Sequence, residues 1–332
     1  MRVLLDTTFA RRGPSGTEVY LRHLVPALRR AGAEVLPVAD ERRRPPAGGG
    51  PGSARNLARD LRWLHAELPA AARRLQVDVV HHPLPAWSPA IGVPQVVTVH
   101  DVAFERLPHA FDPRFRAWAR VAHRFAADRA AAVVCVSEAT ALDVRALWGV
   151  PEAKVVVARH GPGQEPDNAF AGARTATHVL YVGDDEPRKN LGLLVDAHRR
   201  YRERGGTLPL QLVGGAGGGP LEPQALARHY AECAVLVHPS LHEGFGLTVL
   251  EAMSAGAPVV AVRSAAVEEV GGDAVRYVPA DDPDRLAAVL LELERDPAQR
   301  ADMGERGRRR AAEFSWARSA RAHLSAYAAA LR

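Results

Sequence analysis

The chain has 332 residues, more than the ~250–300 that one hydrophobic core usually serves, so two domains are expected. Its 47% apolar and 24% charged residues describe a globular protein, and no apolar run approaches the ~18 residues of a membrane span. The net charge of +5 is scattered in short arginine groups and only 6% of residues are aromatic, which argues against a nucleic-acid surface and leaves only a weak attraction to phosphates or anionic lipid.

The predicted elements alternate. "RVLLD" reads as a strand, "TEVYLRHLVPALRRAG" as a helix stopped by Gly32, and "AEVLPVA" as a strand. Residues 42–52, "RRRPPAGGGPG", read as a loop. "ARNLARDLRWLHAELPAAARRL" is helical, and "VDVVHH" and "QVVTVHD" are strands. "DPRFRAWARVAHRFAADRA" is a helix, "AAVVCVS" a strand, "EATALDVRALWG" a helix and "AKVVVARHG" a strand. Such alternation builds a doubly wound parallel sheet. Residues 161–177 interrupt it with glycine, proline and small polar residues. It restarts with "HVLYVGD", "NLGLLVDAHRRYRERGG", "LPLQLVGG", "LEPQALARHYAEC" and "AVLVHPS", and two long helices close the chain. The expected division is 1–165, 166–314 and a terminal helix, 315–332, packing back toward the first domain. "MRVLLDTTF" has too short an apolar run for a signal peptide. Cys135 and Cys233, beside apolar strands, read as buried thiols in a reducing cytoplasm.

Ligands of parallel sheets bind beyond the carboxyl ends of the strands. The most informative stretch there is "HPSLHEGFGLTVLEAMSAGAPVV", residues 238–260. A strand ends near Ser240 and a helix begins near Gly246–Leu247. The helix's first amides suit an anion such as phosphate. Gly244 and Gly246 allow a ligand to approach the backbone. Glu243 and Glu251, acceptors only when ionised, suit the hydroxyls of a sugar. The competing reading is a surface helix after a flexible glycine turn. "EPRKN" adds a second signal: the chain holds only two lysines, Lys154 and Lys189, among 43 basic residues. Arg188 and Lys189 together offer a planar fork and a compact charge to a diphosphate. His100 follows a strand and precedes Asp101; a lone histidine there is often structural.

The stretch "HPSLHEGFGLTVLEAMSAGAPVVAV" resembles the signature of the family 4 glycosyltransferases, retaining enzymes of GT-B fold, whose E-x7-E pair Glu243 and Glu251 match. "SGTEVYLRHL", "VTVHDV", "VCVSEAT", "YVGDDEPRKNLGLLVDA" and "FSWARSARAHLSAY" extend the resemblance over nearly the whole chain. It implies two Rossmann-like domains facing across a cleft, with a closing C-terminal helix. It implies His100, Arg188, Lys189 and Glu243 in catalysis, with His100 at the donor sugar. Gly16, Gly183, Gly244, Phe245, Gly246, Leu247, Thr248 and Glu251 would join Arg188, Lys189 and Glu243 in holding the donor. Asp101, Ser137 and Glu138 would lie on the acceptor side.

Two departures stand out. After "LQLVGGAGGGP" the family usually has a further helix and strand that help hold the base; here the chain passes almost directly to "PQALARHYAEC". Asp184 and Asp185 follow Gly183, where acids are unhelpful to a diphosphate. Two other motifs mislead. "DPD", Asp282 to Asp284, precedes a helix and reads as a cap rather than a metal site. "GGAGGG" fails the dinucleotide spacing.

The resulting expectation is a metal-independent retaining enzyme without a cofactor. It would move a mannose- or glucose-type hexose from a UDP- or GDP-linked sugar to a carbohydrate, lipid or small-molecule acceptor. Its place would be the cytoplasm, with weak contact at the inner membrane surface and no nucleic-acid partner. The alternatives are a 2-epimerase-like enzyme acting on nucleotide sugars and a degenerate binding module of the same fold.

Overall fold

A computed structural model describes residues 1–8, 15–43, 51–163, 175–219 and 221–332, without the side chains of 51, 53 and 54. The described chain divides into two units, Met1–Gly161 with Ser315–Arg332, and Pro162–Phe314. The expected boundary at 165/166 lies outside the described residues.

The first unit runs β1 (Arg2–Asp6), α1 (Gly16–Arg30), β2 (Glu34–Val38), α2 (Pro51–Arg62), α3 (Leu68–Arg74), β3 (Val79–His82), β4 (Gln95–Val99), α4 (Ala103–Arg106), α5 (Pro113–Arg129), β5 (Ala132–Cys135), α6 (Glu138–Trp148) and β6 (Val155–Val157). Its six strands are all parallel, in the order β2-β1-β3-β4-β5-β6. The central strands β3, β4 and β5 are buried at every residue, as strands covered on both faces must be. The helix expected to run through Pro69 is interrupted. A π turn, Trp63–Glu67, joins α2 to α3, with the Leu68 amide reaching back to the Trp63 carbonyl. Proline has no N–H to continue the ladder, and the wider turn just before Pro69 accommodates that loss. Helix α2 also begins at Pro51, inside the stretch read as loop; residues 44–50 of that stretch lie outside the described residues.

The second unit runs β7 (Val179–Val182), α7 (Leu191–Glu203), β8 (Leu210–Val213), α8 (Pro223–Glu232), β9 (Val235–His238), α9 (Leu247–Ser254), β10 (Val259–Val262), α10 (Ala265–Gly271), β11 (Arg276–Val278), α11 (Pro283–Arg295) and α12 (Pro297–Ala311). Its five strands are parallel in the order β11-β10-β9-β7-β8. Numbered within each unit, both sheets share the order 2-1-3-4-5, the doubly wound arrangement whose winding reverses between its first and third strands. That point lies between β1 and β3 in one unit and between β7 and β9 in the other. Among the described residues, no strand intervenes between β8 and β9. Helix α13 (Trp316–Ala330) belongs to the first unit, where Ala320, Ala326 and Tyr327 join the core formed by Val3, Leu5, Leu24 and Leu28.

Candidate active site

The reversal point of the second sheet gathers most of the expected donor-side residues. β7 is followed by a single 3-10 turn, Pro187–Lys189, ending at Asn190 with φ +50°. The Asn190 side chain donates through Nδ2 to the Ala280 carbonyl at 2.9 Å, which holds this left-handed residue in place. The loop after β9 is tied to this turn by the Leu241 N–H, which donates to the Arg188 carbonyl at 2.9 Å. Arg188 and Glu243 thereby come together beyond the carboxyl ends of the neighbouring strands β7 and β9.

Lys189 Nζ donates to Glu243 Oε1 at 2.7 Å, and Arg188 Nη1 lies 3.6 Å from Oε2. Arg188 Nε is held by Glu186 at 2.8 Å. His238 Nε2 stands 3.4 Å from Glu243 Oε1, near enough for charge to be felt but with geometry that makes no hydrogen bond. Burial alone would raise the Glu243 carboxyl pKa. The Lys189 ammonium, His238 and Arg188 outweigh it and hold the group well below the usual carboxylate range. The glutamate and both cations therefore form one charged cluster.

Helix α9 starts beside this cluster, as the glycine spacing led us to expect. Its N-cap is Gly246 at φ +101°, a conformation that side chains resist, and no side chain caps the helix. Leu247 and Thr248 form its first turn, and Thr248 Oγ1 lies 3.2 Å from His238 Nδ1. Phe245 is buried, edge-on to Phe314 with ring centres 6.0 Å apart, so its side chain serves packing. Together with Gly244, the backbone 244–248 and the Arg188–Lys189–Glu243 cluster offer amides and cations on one side of the sheet end.

Glu251 is buried, and its Oε2 accepts the Tyr230 hydroxyl at 2.7 Å. Burial first, then the Glu251 charge, push the Tyr230 hydroxyl pKa well up. The glutamate read as a sugar ligand thus has a structural bond to α8. The reading of Asp184 also changes. Its carboxylate accepts the Gly215 amide at 3.0 Å, and its carbonyl accepts the Tyr181 hydroxyl at 2.8 Å. The acid secures the glycine turn after β8. That turn is itself packed tightly: a Cβ on Gly217 would stand 2.1 Å from the Leu212 carbonyl oxygen, and one on Gly215 2.4 Å from Asp184. Gly183 closes the β7 end by donating its amide to Val213 at 2.9 Å. Asp282 caps α11 by accepting the Arg285 amide at 2.8 Å.

In the first unit, His100 sits at the carboxyl end of β4 and its Nε2 donates to the Pro83 carbonyl at 3.0 Å. Since a carbonyl only accepts, Nε2 carries the proton and Nδ1 offers its lone pair. Burial drives its pKa down to about 4, against smaller raising effects from Asp101 and the Pro83 bond, so the ring is neutral at pH 7. Asp101 accepts the Ala103 amide at 2.9 Å, fixing the turn into α4. Ser137 and Glu138, expected on the acceptor side, make contacts within the first unit. Ser137 is fully buried and caps α6 by accepting the Thr140 amide at 3.0 Å, while Glu138 is exposed and pairs with Arg159 at 3.5 Å. Gly16 opens α1, whose cap is Ser15, and a Cβ there would meet nothing within 4 Å, so packing does not demand a glycine. A cavity of about 370 Å³ near Asp40, Arg59 and Trp63 contains none of the expected residues, and Arg59 there is bound by Asp40 and Glu67 at 2.6 and 2.7 Å.

Sequence reasoning missed His238, which stands beside Glu243, and Tyr230, which donates to Glu251. A histidine ending a fully buried strand was the available signal for the first. It also missed a buried chain of hydrogen bonds in the first unit. His323 Nδ1 donates to the Ser319 carbonyl at 2.8 Å, so its Nε2 must accept from Tyr20, also at 2.8 Å. Tyr20 then accepts from Thr98 at 3.0 Å, and Thr98 from His81 Nε2 at 2.8 Å. His81 Nδ1 accepts the Tyr327 hydroxyl at 2.7 Å. One carbonyl orients five bonds across α13, α1, β4 and β3.

Comparison with known proteins places the two units in one group. Residues 14–161 match the model described as Glycosyltransferase Family 4, and residues 217–310 match Glycosyl transferases group 1. The O-antigen chain mannosyltransferase B of Escherichia coli is 28% identical over 310 residues, covering 82% of this chain and 80% of that protein. Sucrose-phosphate synthase from Thermosynechococcus elongatus aligns over 99% of this chain and 98% of its own, at TM-score 0.78 and 20% identity. An Anabaena protein, HepE, solved with UDP and glucose, aligns over 98% of both chains at TM-score 0.67 and 17% identity. The two parallel-sheet units and these structural likenesses establish the GT-B fold.

Proposed function

The chain belongs to glycosyltransferase family 4, and from that membership we propose that it transfers a mannose- or glucose-type hexose, with retention, from a UDP- or GDP-linked sugar to an acceptor hydroxyl. The observation that carries this reading is the Arg188–Lys189–Glu243 cluster beside the uncapped start of α9. The diphosphate would take its place against the α9 amides, with Arg188 and Lys189 stabilising the negative charge that grows as the nucleotide leaves. Glu243, held ionised by the same cations, would accept hydrogen bonds from the transferred sugar and orient Lys189. His100, neutral and with Nδ1 unprotonated, would accept from a sugar hydroxyl. The departing phosphate is the base in this scheme, and a carbohydrate, a lipid or a small molecule supplies the acceptor hydroxyl. Two positive side chains and a helix terminus already serve the phosphates, so turnover proceeds without divalent metal or cofactor. No helix among the described residues is long and apolar enough to cross a membrane. The proposed location is cytoplasmic, with weak contact at an anionic membrane surface.

The test is turnover of UDP- and GDP-linked glucose and mannose with a panel of acceptors, reading the anomeric configuration of the product by NMR. Glu243→Gln and Lys189→Met should lower kcat by at least about a hundredfold. An inverted product, or full dependence on added manganese after EDTA, would overturn the mechanism.

A further inference from the structure

Helix α5 is built the wrong way round for a helix that only covers a sheet. Its face toward the core is alanine, with Ala119, Ala126 and Ala127 buried. Its large apolar residues point outward: Phe115 is 43% exposed, Trp118 56%, Val121 73% and Phe125 48%. Their spacing places them on one side of the helix, within an arc of roughly 120° at 100° per residue. The exposed large aromatic side chains among the described residues, Phe115, Trp118 and Phe125, all lie on this one helix. Such a surface, kept in water, costs free energy and normally marks a contact.

The charges say what kind. Arg114 and Arg129 project within the apolar arc, and Arg124 lies about 60° beyond its edge, by the same spacing. Among the described residues Arg114 and Arg124 have no ion-pair partner, and Arg129 meets only its neighbour Asp128, at 3.8 Å. Arg129 also lies over the Phe125 ring, 5.4 Å from its centre. Phe111 stacks on Phe115 with ring centres 6.2 Å apart, and Trp118 packs against Phe115 at a tilt with ring centres 6.0 Å apart, so the aromatic side chains adjoin one another. Tryptophan and phenylalanine beside Arg114, Arg124 and Arg129 match the polar–apolar boundary of a bilayer, where rings sit among headgroups and guanidinium groups meet phosphates.

We infer that the outer face of α5 docks the protein on an anionic lipid surface. This gives the membrane contact proposed above a surface, and it does not depend on the transfer chemistry. The experiment is sedimentation of the full chain with vesicles of phosphatidylcholine alone and with 30% phosphatidylglycerol. Binding should appear with the anionic vesicles and weaken in salt. Trp118→Ser with Phe125→Ser, and separately Arg114→Gln with Arg124→Gln, should each cut binding about tenfold or more, with thermal stability unchanged because these positions are exposed. Basal turnover of a soluble acceptor should be the same in both variants, which separates this surface from the reaction site. Equal binding to neutral vesicles, or undiminished binding by both variants, would overturn the inference. So would a dimer in sedimentation velocity that both variants convert to monomer, since the face would then be covered by a second copy.

Discussion

The glutamates of the E-x7-E pair look equivalent in sequence and differ in their surroundings. Glu243 is balanced by Lys189 at 2.7 Å and Arg188 at 3.6 Å. Removing the ammonium by Lys189→Met leaves a largely buried carboxylate undercompensated, a change that costs about 3 kcal/mol. Denaturant titration should show that loss, and Lys189→Arg should recover most of the stability. Glu251 accepts the Tyr230 hydroxyl at 2.7 Å. Tyr230→Phe deletes one donor to a buried acceptor and should cost about 1–3 kcal/mol in stability. If Glu251 also binds the donor's ribose, Glu251→Ala should weaken donor affinity by about 2–4 kcal/mol in calorimetry, whereas Tyr230→Phe should change it far less. Equal losses of affinity in the two variants would show that Glu251 acts only by holding α8 and α9 together.

At the scale of elements, the short passage from β8 to α8 is the second unit's main peculiarity. Its glycine turn is anchored by Asp184 and leaves no room for a Cβ at Gly217. Gly217→Ala should therefore destabilise the unit by about 2 kcal/mol or more, because backbone rather than a flexible side chain must yield. With no strand or α-helix among the described residues there, fewer buried groups are available to read a base, while Arg188, Lys189 and α9 are retained. Base discrimination needs buried hydrogen bonds that a wrong base would leave unmade. UDP and GDP should then bind within about tenfold, ~1.4 kcal/mol, in parallel titrations. A hundredfold preference for one diphosphate would mean that other residues complete the base pocket.

For the whole molecule, the histidines of the first unit make stability depend on pH. His323 is fully buried, and burial pushes its pKa down to about 4 from an ordinary 6.5; burial lowers His100 to about 4 as well, and it holds His81 well below the ordinary value. Between those values the unfolded chain binds protons that the folded chain refuses. Stability is therefore full above about pH 6.5 and falls as pH drops toward 4, by about 3 kcal/mol for one such histidine fully titrated. Thermal unfolding from pH 7.5 to 4.5 should show Tm falling on the acid side. His323→Gln should reduce that slope, and an unchanged slope would remove His323 as a cause.

Much of the local structure was legible in residue order alone. Continuous valine runs made central parallel strands, and glycines and caps stopped the helices. The spacing from Glu243 to Glu251, with Gly246 between them, placed one acid before a helix and one inside it. Only the tertiary structure decided which groups those acids meet, because Lys189 and Tyr230 arrive from other elements and nothing local to either glutamate specifies them. The same holds for Ser137, which the resemblance sent to the acceptor side and packing committed to a helix cap, and for Asp184, an acid that looked out of place beside a diphosphate and that the fold uses to secure a turn. It holds most plainly for the chain from Ser319 to Tyr327. Its partners Tyr20 and His323 stand 303 positions apart, and the direction of every bond follows from the single carbonyl that His323 reaches in the folded protein.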